Sequence, residues 1–126
     1  MTYLLVALGG ALGATLRHTV NLWAGSAFGP GWPWGTLVAN VLGSFALGVV
    51  MELGEGRTIF GVDARVPLGV GLMGGFTTYS SFNLEVIRLW EGGQMGRAAG
   101  YSGGTFMLCL LCGYAGLAVA KALKST

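Results

Sequence analysis

Charge is scarce in this sequence. Its 126 residues carry seven Lys and Arg, five Asp and Glu and one His, so 10% of the chain is charged while 53% is hydrophobic. So few polar side chains cannot wrap a water-soluble globule of this size, and a mean hydropathy of +0.67 makes lipid the expected solvent of most of the surface. A net charge of +2 is too small to suggest nucleic-acid binding. Met1 to Leu16 lacks a charged leader and a cleavage site, so it is read as a retained span and not a signal peptide. Only two cysteines occur, as Cys109-xx-Cys112 deep in an apolar stretch, and His18 is the one further candidate ligand, which disfavours a metal or redox pair. No nucleophile–base pair supports enzymatic chemistry.

Glycine and apolar runs are abundant, with 24 glycines spread over four stretches at about 3–23, 34–53, 66–90 and 97–120. A helix needs about 20 residues to cross a bilayer, so the expected fold is all-α: one membrane domain over 1–126, with four transmembrane helices and no room for a soluble domain. Any pore would be shared with a partner chain. Gly29-Pro30-Gly31-Trp32-Pro33 makes a tight loop between the first two spans, and Pro67 suits the first turn of the third. Trp23, Trp32, Trp34 and Trp90 fall at span ends, as an interfacial aromatic belt would have them. Gly9-xxx-Gly13, Gly71-xxx-Gly75 and Gly100-xxx-Gly104 suit close helix approach in lipid.

An even number of spans puts Arg57, Arg65, Lys121 and Lys124 on one side and Arg17, Arg88 and Arg97 toward the other. Four against three gives the positive-inside rule almost nothing to act on. Dual topology is therefore expected, and a chain that inserts both ways can pair with itself as an antiparallel homodimer.

The third span contains Gly74-Gly-Phe-Thr-Thr-Tyr-Ser-Ser-Phe82, a composition unsuited to a lipid-facing helix. The glycines weaken the helix while Thr77, Thr78, Ser80 and Ser81 compete for backbone groups, which predicts a break near mid-membrane. Past the break, Thr78, Tyr79, Phe82 and Glu85 share one face at three- and four-residue spacing. In the fourth span Tyr101, Thr105 and Cys109 form a second line at intervals of four. Asn40, after Gly35-Thr36-Leu37-Val38-Ala39, has an amide that either donates to an anion or bonds a neighbouring helix. Arg17, the only intramembrane cation, is either functional or snorkels to the interface, and the lone His18 beside it reads as a structural residue.

Gly9-Gly-Ala-Leu-Gly-Ala-Thr-Leu-Arg17, Trp34-Gly-Thr-Leu-Val-Ala-Asn40 and Gly74 to Phe82 together resemble, in order and spacing, the signatures of the Fluc (CrcB) family of small dimeric fluoride channels. The resemblance implies an antiparallel homodimer in the cell (inner) membrane that exports fluoride passively and protects against its toxicity. It implies ion paths lined by Asn40, Tyr79, Phe82, Tyr101, Thr105, Thr36, Ser81, Cys109 and Arg17, and a structural sodium ion held by backbone carbonyls of Gly74 and Thr77. Two positions depart from the family's pattern: Tyr79 stands where phenylalanine is usual, and Thr105 and Cys109 stand where serines are common. The alternative is a small multidrug-type proton-coupled exporter, which also has four short spans. Such a transporter needs a glutamate in the first span, where this chain has Arg17.

Overall fold

In the computed structural model, which describes residues 1–126, the chain opens with helix α1, Thr2–Phe28, and helix α2, Trp34–Leu53. α1 runs past Trp23 and through Gly25, a single glycine that weakens a helix without ending it; the stop is Gly29, at φ 78° and followed by Pro30. A short hairpin, absent from the sequence expectation, follows α2. Strand β1, Thr58–Ile59, pairs antiparallel with β2, Val62–Asp63, across Phe60 and Gly61, whose φ values of 49° and 77° are those of a mirror-image tight turn. Arg65 grips Asp63 at 2.6 Å behind it. Apart from this loop, every regular element is helical.

Residues Val66–Met73 are wound as a π-helix, with the Gly74 N–H reaching the Gly69 carbonyl five residues back. One further turn, α3 (Gly74–Phe76), ends at Thr77 and Thr78, which are extended at φ −82°, ψ 158° and φ −152°, ψ 120°. Helix α4, Tyr79–Glu91, then resumes, and α5, Met95–Lys124, completes the chain.

α2 packs chiefly on α5, and α1 on the π-helix. Small residues set the second approach: a Cβ on Gly9 would lie 2.6 Å from the Pro67 carbonyl oxygen, and one on Gly75 2.5 Å from that of Gly10. The Gly9/Gly13 and Gly71/Gly75 pairs thus face each other, whereas Gly100 and Gly104 have nothing within 4 Å. Lys124 reaches Glu52 and Glu55, both at 3.1 Å, so the ends of α2 and α5 lie together. At the opposite end Arg97 donates to the Gly31 carbonyl and stacks over Trp32 at 5.2 Å.

Only 18 of 126 residues are buried, and Leu4, Leu8, Leu12 and Leu16 form an outward apolar row on α1 at 43–60% exposure. So much exposed hydrocarbon is the mark of a surface solvated by lipid. α2 and α5, with mean hydropathies of 1.7 and 1.9, are each long and apolar enough to cross a bilayer.

Candidate functional site

The extended residues Thr77 and Thr78 organise the site. In an unbroken helix the Thr78 N–H would bond Gly74 O, but it donates to Asn40 Oδ1 at 2.8 Å, while Asn40 Nδ2 donates to Thr78 O at 3.0 Å. The Asn40 amide therefore clamps the backbone of the break from both sides. The Ser81 N–H, whose helical partner would be Thr77 O, is drawn to Thr78 Oγ1 at 3.2 Å, capping α4. Both redirected amides leave behind a carbonyl without its helical donor, that of Gly74 and that of Thr77.

One turn and a half along α4, the half-buried Glu85 accepts hydrogen bonds from Thr36 Oγ1 and Tyr101 OH, each at 2.7 Å, one on each carboxylate oxygen. This binds α2, α4 and α5 through a single side chain. The arrangement also pins Tyr101, whose ring is 1% exposed and packs 5.2 Å from Phe82, itself 5.7 Å from Tyr79.

Asn40, Thr78, Tyr79, Phe82, Thr105 and Cys109 line one open groove of about 410 Å³ between α2, α4 and α5. A second groove of about 330 Å³, lined by Trp32, Glu85, Arg88 and Arg97 among others, lies toward the Arg97 end of the bundle. Glu85 belongs to the second groove and is tied to the first through Tyr101, which it holds at 2.7 Å and whose ring packs on Phe82.

The hydroxyls divide by where their protons point. Those of Thr36 and Tyr101 are committed to Glu85, and that of Thr77 to Met73 O at 2.9 Å. Ser81 Oγ accepts from Thr78 Oγ1 at 3.2 Å, which leaves its own proton free. Thr105 is 6% exposed, yet its Oγ1 has no partner, a costly state for a buried hydroxyl unless something else occupies the groove beside it. Asn40 keeps its second Nδ2 hydrogen. Thr105, half of the Asn40 amide and, more weakly, the Cys109 thiol thus line the groove with a free proton, whereas Ser81 keeps its proton but lines neither groove.

Most of the residues named from the sequence converge here, with three qualifications. Arg17 lies half-exposed on α1, lines neither groove and has no side-chain partner in the chain. Thr36 and Tyr101 reach the site as hydrogen-bond donors to Glu85, not as free donors. Tyr79 is 77% exposed, so its hydroxyl faces outward from this protomer. Glu85, placed from the sequence on the face of Thr78, Tyr79 and Phe82 without a role of its own, is the hydrogen-bond hub of the site. A carboxylate three residues beyond Phe82 on the same face was the available signal, but its partners come from two other helices.

A family profile described as CrcB-like protein, Camphor Resistance (CrcB), matches residues 4–117. The chain is similar to the fluoride-specific ion channel FluC of a Thermus thermophilus strain, 45% identical over 121 residues that cover 96% of this chain and 94% of the relative. It is similar to proteins of that name from Agrobacterium fabrum, at 40% identity over 94% of this chain and 95% of the relative, and Anaeromyxobacter sp. strain K, at 47% over 89% of each.

Proposed function

The chain belongs to the CrcB family, and from that premise we propose that it is a fluoride channel, passively exporting the anion across the cell membrane. The relatives are named as ion channels and not as enzymes. The observation that carries the reading is the groove of neutral donors: Thr105 with its buried, unpartnered hydroxyl, the spare Asn40 N–H and the half-buried edge of Phe82 line one passage. Fluoride is small and strongly hydrated, so a selective path must replace its water with donors. A ring edge carries partial positive charge and serves for Phe82. Fixed cations along the path would hold the anion too tightly to conduct; Arg88 and Arg97 line the other groove instead. Hydrogen fluoride enters cells from acid surroundings and ionises inside, so a passive path suffices. The exporter alternative finds no support among the relatives, and the one carboxylate at the path, Glu85, is on α4 with both oxygens accepting hydrogen bonds.

The protomer crosses the membrane four times in this reading, through α1, α2, the broken helix 66–91 and α5. Non-helical backbone at membrane depth is tolerated only when covered by protein or lining water, and Gly74, Tyr79 and Ser80 at the break are exposed in one protomer. A second copy in antiparallel orientation covers them, in keeping with the four-to-three division of cations. The carbonyls of Gly74 and Thr77, released from their helical amides, suit a sodium ion, which supplies a hard positive charge for carbonyl oxygens and ties the two breaks together. Purified protein in liposomes should release fluoride and retain chloride. Comparable chloride efflux would overturn the selective-channel reading, and no fluoride efflux would overturn the function.

A further inference from the structure

Cys109 lines two cavities. It borders the groove of Asn40, Phe82 and Thr105, and also a neighbouring cavity of about 440 Å³ lined by Gly48, Met51 and Tyr114 among others. Ser44, Leu47 and Leu110 are shared between the two, so the thiol stands at their junction, half-buried and free of any disulfide. One helical turn away on the same face, Thr105 lines the first groove, is 6% exposed and has an unpartnered Oγ1, so the groove beside the thiol offers a guest a vacant polar contact. Cys112, also half-buried, lines neither cavity.

We propose that Cys109 is a covalent modification site inside the passage, taking small neutral disulfide-type reagents (thiosulfonates and low-mass disulfides), and that its capping closes the passage. The inference rests on the fluoride-channel reading. With methyl methanethiosulfonate the Cys109 thiol loses its proton to water, and the thiolate attacks the sulfenyl sulfur. The S–S bond of the reagent breaks, and methanesulfinate leaves with the electron pair. The thiol is oxidised to a methyl disulfide and the reagent reduced to the sulfinate. The new S–CH₃ group replaces a weak donor with an apolar cap at the junction and crowds Thr105 Oγ1. A desolvating anion then meets hydrocarbon where it needs donors.

The test uses the dimer of the Cys112→Ser protein, whose only thiol is Cys109, reconstituted in liposomes and treated with methyl methanethiosulfonate. Intact-protein mass spectrometry should show one S-methylthio group per chain, fluoride efflux should fall at least tenfold, and dithiothreitol should restore it. In parallel, Cys109→Ser, compared with its own untreated rate, should lose nothing on treatment. Absence of the adduct, or undiminished efflux from fully modified protein, would overturn the proposal. If untreated protein passes no fluoride, the channel reading fails and the closure falls with it, an outcome distinct from modification without block.

Discussion

At the residue scale, Phe82 and Asn40 line one groove but hold it together to different degrees. Phe82 contributes a ring edge and packing that another apolar side chain largely replaces, so Phe82→Ile should cost on the order of 1 kcal/mol of stability yet abolish fluoride efflux. Thermal melting in detergent read beside liposome flux separates the two, and normal conduction by a folded dimer would remove Phe82 from the path. Asn40 is different because its amide also clamps Thr78. Asn40→Asp replaces the Nδ2 donor with an oxygen facing the Thr78 carbonyl and brings negative charge to an anion path. Flux should vanish together with about 1–3 kcal/mol of stability, the cost of leaving a buried acceptor unpaired. A variant as stable as the parent would show that the clamp contributes nothing.

At the scale of elements, the approach of α1 to the helical run 66–76 is a backbone contact, so it tolerates no added methyl. Gly75→Ala would press a Cβ to 2.5 Å from the Gly10 carbonyl oxygen, and neither backbone has a flexible end to yield. A loss of about 1–3 kcal/mol is expected in thermal unfolding, while Gly100→Ala, inside α5 with nothing within 4 Å of its Cβ, should lose no stability and gain up to about 1 kcal/mol. The hairpin between α2 and the π-helix carries a pH dependence. The Arg65 side chain, and then its backbone N–H, hold the Asp63 carboxyl down from 3.8 to about 2. A depressed carboxyl stabilises the folded form above its unfolded value and loses that contribution as pH falls through the folded value. The protection of the hairpin amides against hydrogen exchange, taken relative to the intrinsic rate at each pH, should therefore fall between pH 4 and pH 2 in the parent protein. In Asp63→Asn that protection should already be low and should not change across the window.

For the whole molecule, the proposed antiparallel pairing covers the exposed polar break, and the two released carbonyls per chain are the proposed seat of a sodium ion. Replacing sodium with a large organic cation should weaken the dimer, read as the monomer fraction by size exclusion in detergent; a dimer indifferent to sodium would sink the cation reading. Much of this architecture was legible in one dimension. Scarce charge, four apolar stretches and tryptophans at their ends specify a membrane bundle, because a bilayer imposes length and composition residue by residue. The weak helix at Gly74 to Ser81 was visible for the same local reason, since glycine and hydroxyl side chains act on their own backbone. Which hydroxyls keep a free proton was not legible. Thr36, Tyr101, Ser81 and Thr105 look alike in sequence, and only the meeting of α2, α4 and α5 at Glu85 commits the first two and leaves the others available. The π-helical winding and the hairpin were equally hidden, as each depends on what packs or pairs beside it. Sequence by itself determined the solvent of this protein and where its chain would yield. Tertiary structure decided which polar groups satisfy one another and which remain for an ion, because hydrogen bonds between helices depend on positions that no single segment contains.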